Sequence, residues 1–368
     1  PAKETTSEPS TSPTPGPTSN VAHTQPNIIV FLMDDVLFTT DWNYSAPTGR
    51  YLNGKVIEYS DFPTPNIASF MQEAVIFPNA YSGAPKCAPS RFSVLTGRQC
   101  SRSEWAVDRT TKTSSGYYGV NVTVQTCKLF YNDSIWNIPY VLQNDANTPY
   151  YTGMMGKWHL LTGSDNNCSD LAQSVDSAVY ANCVEVVKKQ GFDFVDAFYY
   201  SNIADNPYYS HNPEWMVSQS QKFITRAQAA NKPFFLYFAS TLTHEPSVTL
   251  ALNNYTRRDS PKGPLTGADN PSDTLMTGRS GVWREALASG SNAARLETYA
   301  AYHWVDDSFG ALINYLKMND LYDNTFVVLM NDHGMGAKGT LYQQGSRIIH
   351  FVRYPPLFGD NGPYLLPQ

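Results

Sequence analysis

Four short apolar runs constrain this chain more than any other feature. Residues 27–33, 149–155, 233–239 and 325–330 are nearly unbroken stretches of aliphatic and aromatic side chains. They lack the polar alternation of a half-exposed strand and suit central strands of a mostly parallel sheet, covered on both faces. Helical patterns lie between them. Residues 65–73 carry Pro65 near the start and apolar Ile67, Phe70 and Met71, and residues 292–321 form the longest helical candidate, with Lys317 near its end. Strands alternating with helices predict an α/β fold, a doubly wound and mostly parallel central sheet flanked by helices.

Each run is followed by polar, reactive groups. These are Asp34-Asp35, Gly156-Lys157-Trp158-His159, Thr243-His244-Glu245-Pro246 and Asp332-His333-Gly334. In a doubly wound sheet, ligands bind beyond the carboxyl ends of the strands, so the clusters are expected to meet in one composite site. The stretches 100–135, 160–190 and 250–290 look less regular and read as insertions around the scaffold. Residues 1–25 are rich in Ser, Thr and Pro and cannot bury enough apolar surface to order themselves. They read as a disordered segment preceding one catalytic domain over 26–368.

The formal net charge of -6 argues against non-specific binding to nucleic acid. No apolar run approaches the roughly 20 residues of a membrane span. Asn-x-Ser/Thr sequons occur at Asn43, Asn121, Asn132, Asn167 and Asn254. Of five cysteines, Cys87 has a separate explanation. That leaves Cys100, Cys127, Cys168 and Cys183, which form two disulfides in any of three pairings or stay buried as thiols. Sequons and an even cysteine set predict a secreted or lumenal protein.

Asp34, Asp35 and Asp332 bring hard oxygen ligands to one sheet edge, which suits a divalent cation. Unpaired, that much buried charge would be costly. The plainer reading of an Asp-Asp pair is a loop or helix cap; the Asp332-His333 pair at a second strand end weighs against it. In Cys87-Ala88-Pro89-Ser90-Arg91, Pro89 tolerates a first helical turn, and Phe92, Val94 and Leu95 continue the pattern towards Gly97. Cys87 therefore falls at or just before a helix N-terminus, where anions are stabilised and a thiol pKa drops. The plainer reading is a cysteine that merely packs.

Cys87 to Arg91, followed by Leu95-Thr96-Gly97-Arg98, resembles the signature of the type I sulfatases, formylglycine-dependent members of the alkaline phosphatase-like superfamily. Thr64-Pro65-Asn66-Ile67, Phe77-Pro78-Asn79-Ala80-Tyr81, Gly156-Lys157-Trp158-His159, the His244 turn, Asp332-His333-Gly334 and Lys338-Gly339-Thr340-Leu341-Tyr342 with Gly345 and Arg347 are similar to that family in the same order. The resemblance implies a sulfuric ester hydrolase. A separate formylglycine-generating enzyme would oxidise Cys87 to Cα-formylglycine, whose hydrate supplies the nucleophile. Asp34, Asp35, Asp332, His333 and residue 87 would bind one divalent metal, Ca2+ first, with Mn2+ or Mg2+ as alternatives. Asp332 would also be the base. Lys157, Lys338 and His244 would surround the sulfate oxygens, and His244 or Lys338 would protonate the leaving oxygen. His159 would receive the proton that releases sulfate, and Arg91 would hold the formylglycine.

Some residues depart from the family pattern. His333 stands where many members carry asparagine, and imidazole shifts preference towards softer ions. Gln343-Gln344-Gly345 replaces the common Glu-Gly-Gly, and His350 occupies a position that is often apolar. Members usually continue into a small C-terminal sheet-and-helix subdomain, so a truncated chain is expected. The competing readings are a phosphodiesterase or phosphonate monoester hydrolase of the same superfamily, and a non-catalytic sulfate- or glycan-binding protein. Nothing in the sequence selects a substrate; a sulfated carbohydrate, with aryl sulfates as artificial substrates, is the expectation.

Overall fold

The computed structural model describes residues 25–36, 64–103, 137–161, 167–271, 274–289 and 293–359, with strand pieces at 51–52, 55–56 and 364–365. The segment 1–25 (apart from Gln25), Asn43, Asn121, Asn132 and Cys127 lie outside the described residues. The strands are β1 (Asn27–Met33), β2 (Tyr51–Leu52), β3 (Lys55–Val56), β4 (Val75–Ile76), β5 (Tyr151–Lys157), β6 (Phe194–Tyr199), β7 (Phe234–Ala239), β8 (Thr325–Asn331), β9 (His350–Arg353) and β10 (Tyr364–Leu365). Eight of them form one sheet in the order β10-β4-β9-β8-β1-β7-β5-β6. The pairs β8/β1, β1/β7, β7/β5, β5/β6 and β10/β4 are parallel, and only β9 runs against its neighbours. This is the mixed α/β architecture expected from the apolar runs.

Burial explains why those runs became central strands. Every residue of β7 is buried, as are Ile29 to Met33 of β1. Phe31 stacks on Phe238 at 4.5 Å and meets Phe309 of the Ala293–Met318 helix edge-on at 5.1 Å. Phe223 of the Pro213–Ala229 helix packs on Tyr151, Phe194 and Phe234.

Register decides where the polar clusters fall. Met33 pairs with Asn331, so Asp34 and Asp332 leave the sheet side by side. Leu32 and Gly156 both pair with Ala239, which brings Lys157 to the same level. Gly156 sits at φ +97°, where a Cβ would lie 2.0 Å from the Ala239 carbonyl oxygen. Only glycine fits there.

Two stretches that look less regular in the sequence nevertheless carry helices. Residues 160–190 contain the Ser177–Lys188 helix, capped by the Asp176 carboxylate through the Ala178 and Val179 amides. Residues 250–290 contain the Arg279–Ala288 helix and most of the Val248–Asn253 helix. These helices are short or weakly patterned, so the apolar period is hard to read. Cys168 and Cys183 are joined by a disulfide that ties a 3₁₀ turn to the Ser177–Lys188 helix. Cys100 is disulfide-bonded as well, and Cys87 is the free cysteine among the described residues.

Candidate active site

At the carboxyl edge of the sheet the structure brings together the candidate catalytic and metal-binding residues expected from sequence. β1 delivers Asp34 and Asp35, β5 ends on Lys157 with His159 beyond, and β7 leads into the turn carrying His244. β8 delivers Asp332 and His333, with Lys338 in the loop that follows. Cys87 is the first residue of the Cys87–Thr96 helix, so its sulfur sits where unpaired helical amides gather, and Arg91 follows one turn later.

Asp34 is fully buried, as are Arg91, Asp332 and His333. Lys157 Nζ is 2.5 Å from Asp34 Oδ2 and Arg91 Nη2 is 3.2 Å from its Oδ1. Burial alone would raise its pKa, but Lys157 and Arg91 outweigh burial and hold it well below the usual carboxylate range. Arg91 bridges to Asp332 Oδ2 at 3.2 Å and donates through Nη1 to the Lys157 carbonyl at 2.8 Å. Asp332 Oδ1 accepts from the amides of Asp35 (3.2 Å) and His333 (2.9 Å). Burial, with Asp34 adding to it, pushes the Asp332 carboxyl up to about 7 against the pull of His333 and Arg91.

His333 Nε2 is 3.1 Å from Asp35 Oδ1 and 3.2 Å from Cys87 Sγ. Its Nδ1 lies 3.1 Å from the Gly334 carbonyl, so that nitrogen carries a proton. Burial would lower this imidazole, but Asp332 and the sulfur raise it to about 9. On the outer side, Lys338 Nζ contacts Asp35 Oδ2 at 2.6 Å, and His244 Nε2 reaches the same oxygen at 3.3 Å and Lys338 at 3.4 Å. His244 and Lys338, 12% and 26% exposed, form the accessible side of the cluster. Burial would raise the Cys87 thiol, yet Lys157, with His159 and His244 on the sulfur, brings it down to about 2 despite Asp34. Burial lowers His159 to about 4 although it also meets the sulfur. Asp35 and His159 hold positive φ angles of 55° and 63°, a conformation that costs roughly 1–3 kcal/mol for such residues.

The donor atoms of Asp34, Asp35, Cys87 and His333 lie within 4.8 Å of one another. The buried Oδ1 atoms of Asp34 and Asp35 accept no hydrogen bond and meet only the ion-pair contacts with Arg91 and His333. Hard oxygens with free lone pairs beside an imidazole suit a divalent cation. Asp332 itself stands beside the four-donor group, its oxygens engaged by Arg91 and two amides.

Several contributors carried no site assignment from sequence. Ser90 donates through Oγ to the Asp332 carbonyl at 2.5 Å, and Thr243 Oγ1 to the Asp35 carbonyl at 3.1 Å. Asn331 donates to the His333 carbonyl at 2.8 Å. Their proximity to motif residues was the available signal. His211, buried behind the His244 turn, gave none.

A family model described as Sulfatase matches residues 26–359. N-acetylgalactosamine-6-sulfatase of Homo sapiens is 25% identical over 357 residues, covering 92% of this chain and 53% of that protein. The chain thus spans about half the length of the curated relatives it matches. The crystal structure of Ps i-CgsB in complex with k-i-k-neocarrahexaose superposes with a TM-score of 0.56 at 18% identity, covering 94% of this chain and 69% of that one. The phosphonate monoester hydrolase of Agrobacterium radiobacter does so at 0.51 and 14% identity, covering 93% and 70%. Both structures share the fold. The family match runs through each segment that builds this site, and the chain belongs to the type I sulfatases of the alkaline phosphatase-like superfamily.

Proposed function

We propose that this chain hydrolyses sulfate monoesters, with a Cα-formylglycine made from Cys87 and one divalent cation, Ca2+ before Mn2+ or Mg2+. The observation that supports this most is the setting of the Cys87 sulfur. It lies at a helix N-terminus, 3.2 Å from His333, with the carboxylates of Asp34 and Asp35 and a shell of lysines and histidines around it. Asp34, Asp35, Asp332 and His333, with residue 87, would hold the cation, which would supply Lewis acidity to the sulfate oxygens. Hydrated formylglycine would supply the attacking oxygen.

The chain's own side chains do the rest. Asp332 would take the proton of the attacking hydroxyl. Arg91, pinned between Asp34 and Asp332, would fix residue 87 in place. Lys157, Lys338 and His244 would meet the charge that builds on the sulfate oxygens. His244 and Lys338, 3.4 Å apart on the accessible side, would deliver a proton to the leaving oxygen. His159, held neutral at pH 7 by burial, would accept the proton that accompanies sulfate release. A sulfated carbohydrate is the natural substrate class favoured by the kinship with an N-acetylgalactosamine-6-sulfatase.

Maturation would require a formylglycine-generating enzyme. The disulfide supports an oxidising, secreted or lumenal setting, and the exposed sequon residues Asn167 and Asn254 are open to glycosylation. Among the described residues no helix is long and apolar enough to cross a membrane. Peptide mass spectrometry across Cys87, from a host with the maturation enzyme, tests the nucleophile. Finding only unmodified cysteine in active protein would overturn it. Turnover of an aryl sulfate should exceed that of the matched aryl phosphonate; the reverse order would assign the phosphonate hydrolase reading.

A further inference from the structure

The turn that carries His244 is held from behind by a histidine that the proposed chemistry leaves unused. His211 lies between β6 and the Pro213–Ala229 helix at 0% exposure. Its Nδ1 is 3.0 Å from Thr241 Oγ1, and its Nε2 is 3.2 Å from the Pro246 carbonyl oxygen. A carbonyl can only accept, so Nε2 carries the proton; Nδ1 is then the acceptor and the Thr241 hydroxyl its donor. Burial lowers the pKa of this imidazole to about 3, so the single tautomer persists through neutral pH.

These two bonds bracket residues 241–246. On the far side the same segment is tied to the carboxylate pair. The Asp34 amide donates to the Leu242 carbonyl at 2.8 Å, the Thr243 amide to the Asp34 carbonyl at 2.5 Å, and Thr243 Oγ1 to the Asp35 carbonyl at 3.1 Å. His211 is anchored in turn. Arg279 reaches its carbonyl at 3.5 Å and pairs with the buried Glu214 at 3.4 Å, which accepts from Trp304 Nε1 at 3.2 Å. The segment is therefore gripped between a ligand-bearing strand end and a buried polar anchor, and the His244 imidazole projects from its middle.

We infer that His211 is a positioning residue for His244. Its paired ring hydrogen bonds fix the 241–246 turn so that His244 stays aligned with Lys338 and the leaving group of the ester. The inference rests on the proposed sulfate-ester reaction for its catalytic consequence, but the clamp itself is a property of the fold.

Three variants separate the two bonds. His211→Gln keeps a donor near the Nε2 position for Pro246, His211→Asn keeps an acceptor near Nδ1 for Thr241, and His211→Phe keeps bulk and loses both. Hydrogen exchange should quicken at the amides of 241–245 in His211→Phe and remain as in the parent elsewhere, with Gln and Asn intermediate. Steady-state rates on aryl sulfates should show a kcat loss on the order of 100-fold for a poor leaving group such as unsubstituted phenol. The loss should be several-fold smaller for nitrophenol, which needs little proton donation, and KM should stay constant. A histidine that only stabilises the fold would lower the melting temperature and cut both rates equally. That outcome, or unchanged exchange at 241–245 in a folded variant, overturns the inference. If His211→Phe does not fold, the Gln and Asn variants decide the same comparison. If the parent enzyme cleaves no sulfate ester, the proposed function fails, and the exchange measurement still decides whether His211 is the clamp.

Discussion

Asp34 is fully buried and still ionised, because Lys157 sits 2.5 Å from one oxygen and Arg91 3.2 Å from the other. Asp34→Asn keeps the shape, removes the charge and leaves two buried cations undercompensated. The expected cost is about 3–5 kcal/mol, read as a lower denaturant midpoint with an unchanged m-value. His211 makes a prediction of opposite chemistry. Its folded pKa is lowered to about 3 from 6.5, so below pH 6.5 the unfolded chain binds a proton that the folded chain refuses. Stability should fall with falling pH by up to about 1.4 kcal/mol per pH unit from this group. Urea midpoints measured on either side of that value should show a shallower pH slope in His211→Gln than in the parent. At this scale the site was largely legible, since Cys87, Lys157 and Asp332 sit in short motifs at strand or helix ends. His211 was not, because a lone histidine before a polar helix has no pattern until its partners, 30 and 35 residues on, are known.

Helix and strand ends show where element-level reading stops. The Pro65–Gln72 helix is capped from a distance. Asp306, in the middle of the Ala293–Met318 helix, accepts from the Asn66 amide at 3.1 Å and the Ile67 amide at 2.7 Å. A cap supplied from 239 or 240 residues away leaves no local signature. Asp306→Ala should cost roughly 1–2 kcal/mol, measured by thermal unfolding. The strand bulge at Gly156 is a sharper case. Gly156→Ala forces a side chain into a positive φ and against the Ala239 carbonyl. A loss on the order of 3 kcal/mol or more is expected, and with it the alignment of Lys157. The central strands were readable because their apolar runs are nearly unbroken: β1, β5 and β7 are buried on both faces, and β8 keeps apolar side chains even on its half-buried face. Strands β4, β6 and β9 were not; β4 and β9 are short, and β6 carries Asp196 inside its run. The Pro213–Ala229 helix was missed because it buries Ser218, Gln219 and Ser220, which dilutes the apolar period.

For the whole molecule, parallel register is what turns scattered motifs into one site. Strand ends that pair level with one another bring together residues as far apart in sequence as Asp34 and Lys338. A cation bound there should link several elements at once. Adding Ca2+ to chelator-treated protein should raise the melting temperature in a saturable way, by the equivalent of about 2.7 kcal/mol at a hundredfold excess over Kd. No shift with Ca2+, Mn2+ or Mg2+ would argue against a metal held by these donors. The same closure sets a deadline for Cys87. The residue is 5% exposed, so the modifying enzyme proposed above would reach its sulfur only while the chain is still open. On that proposal the fraction of molecules that mature would be set by a race between oxidation and folding. Slower folding should then raise that fraction, and a chain that folds first would keep its thiol.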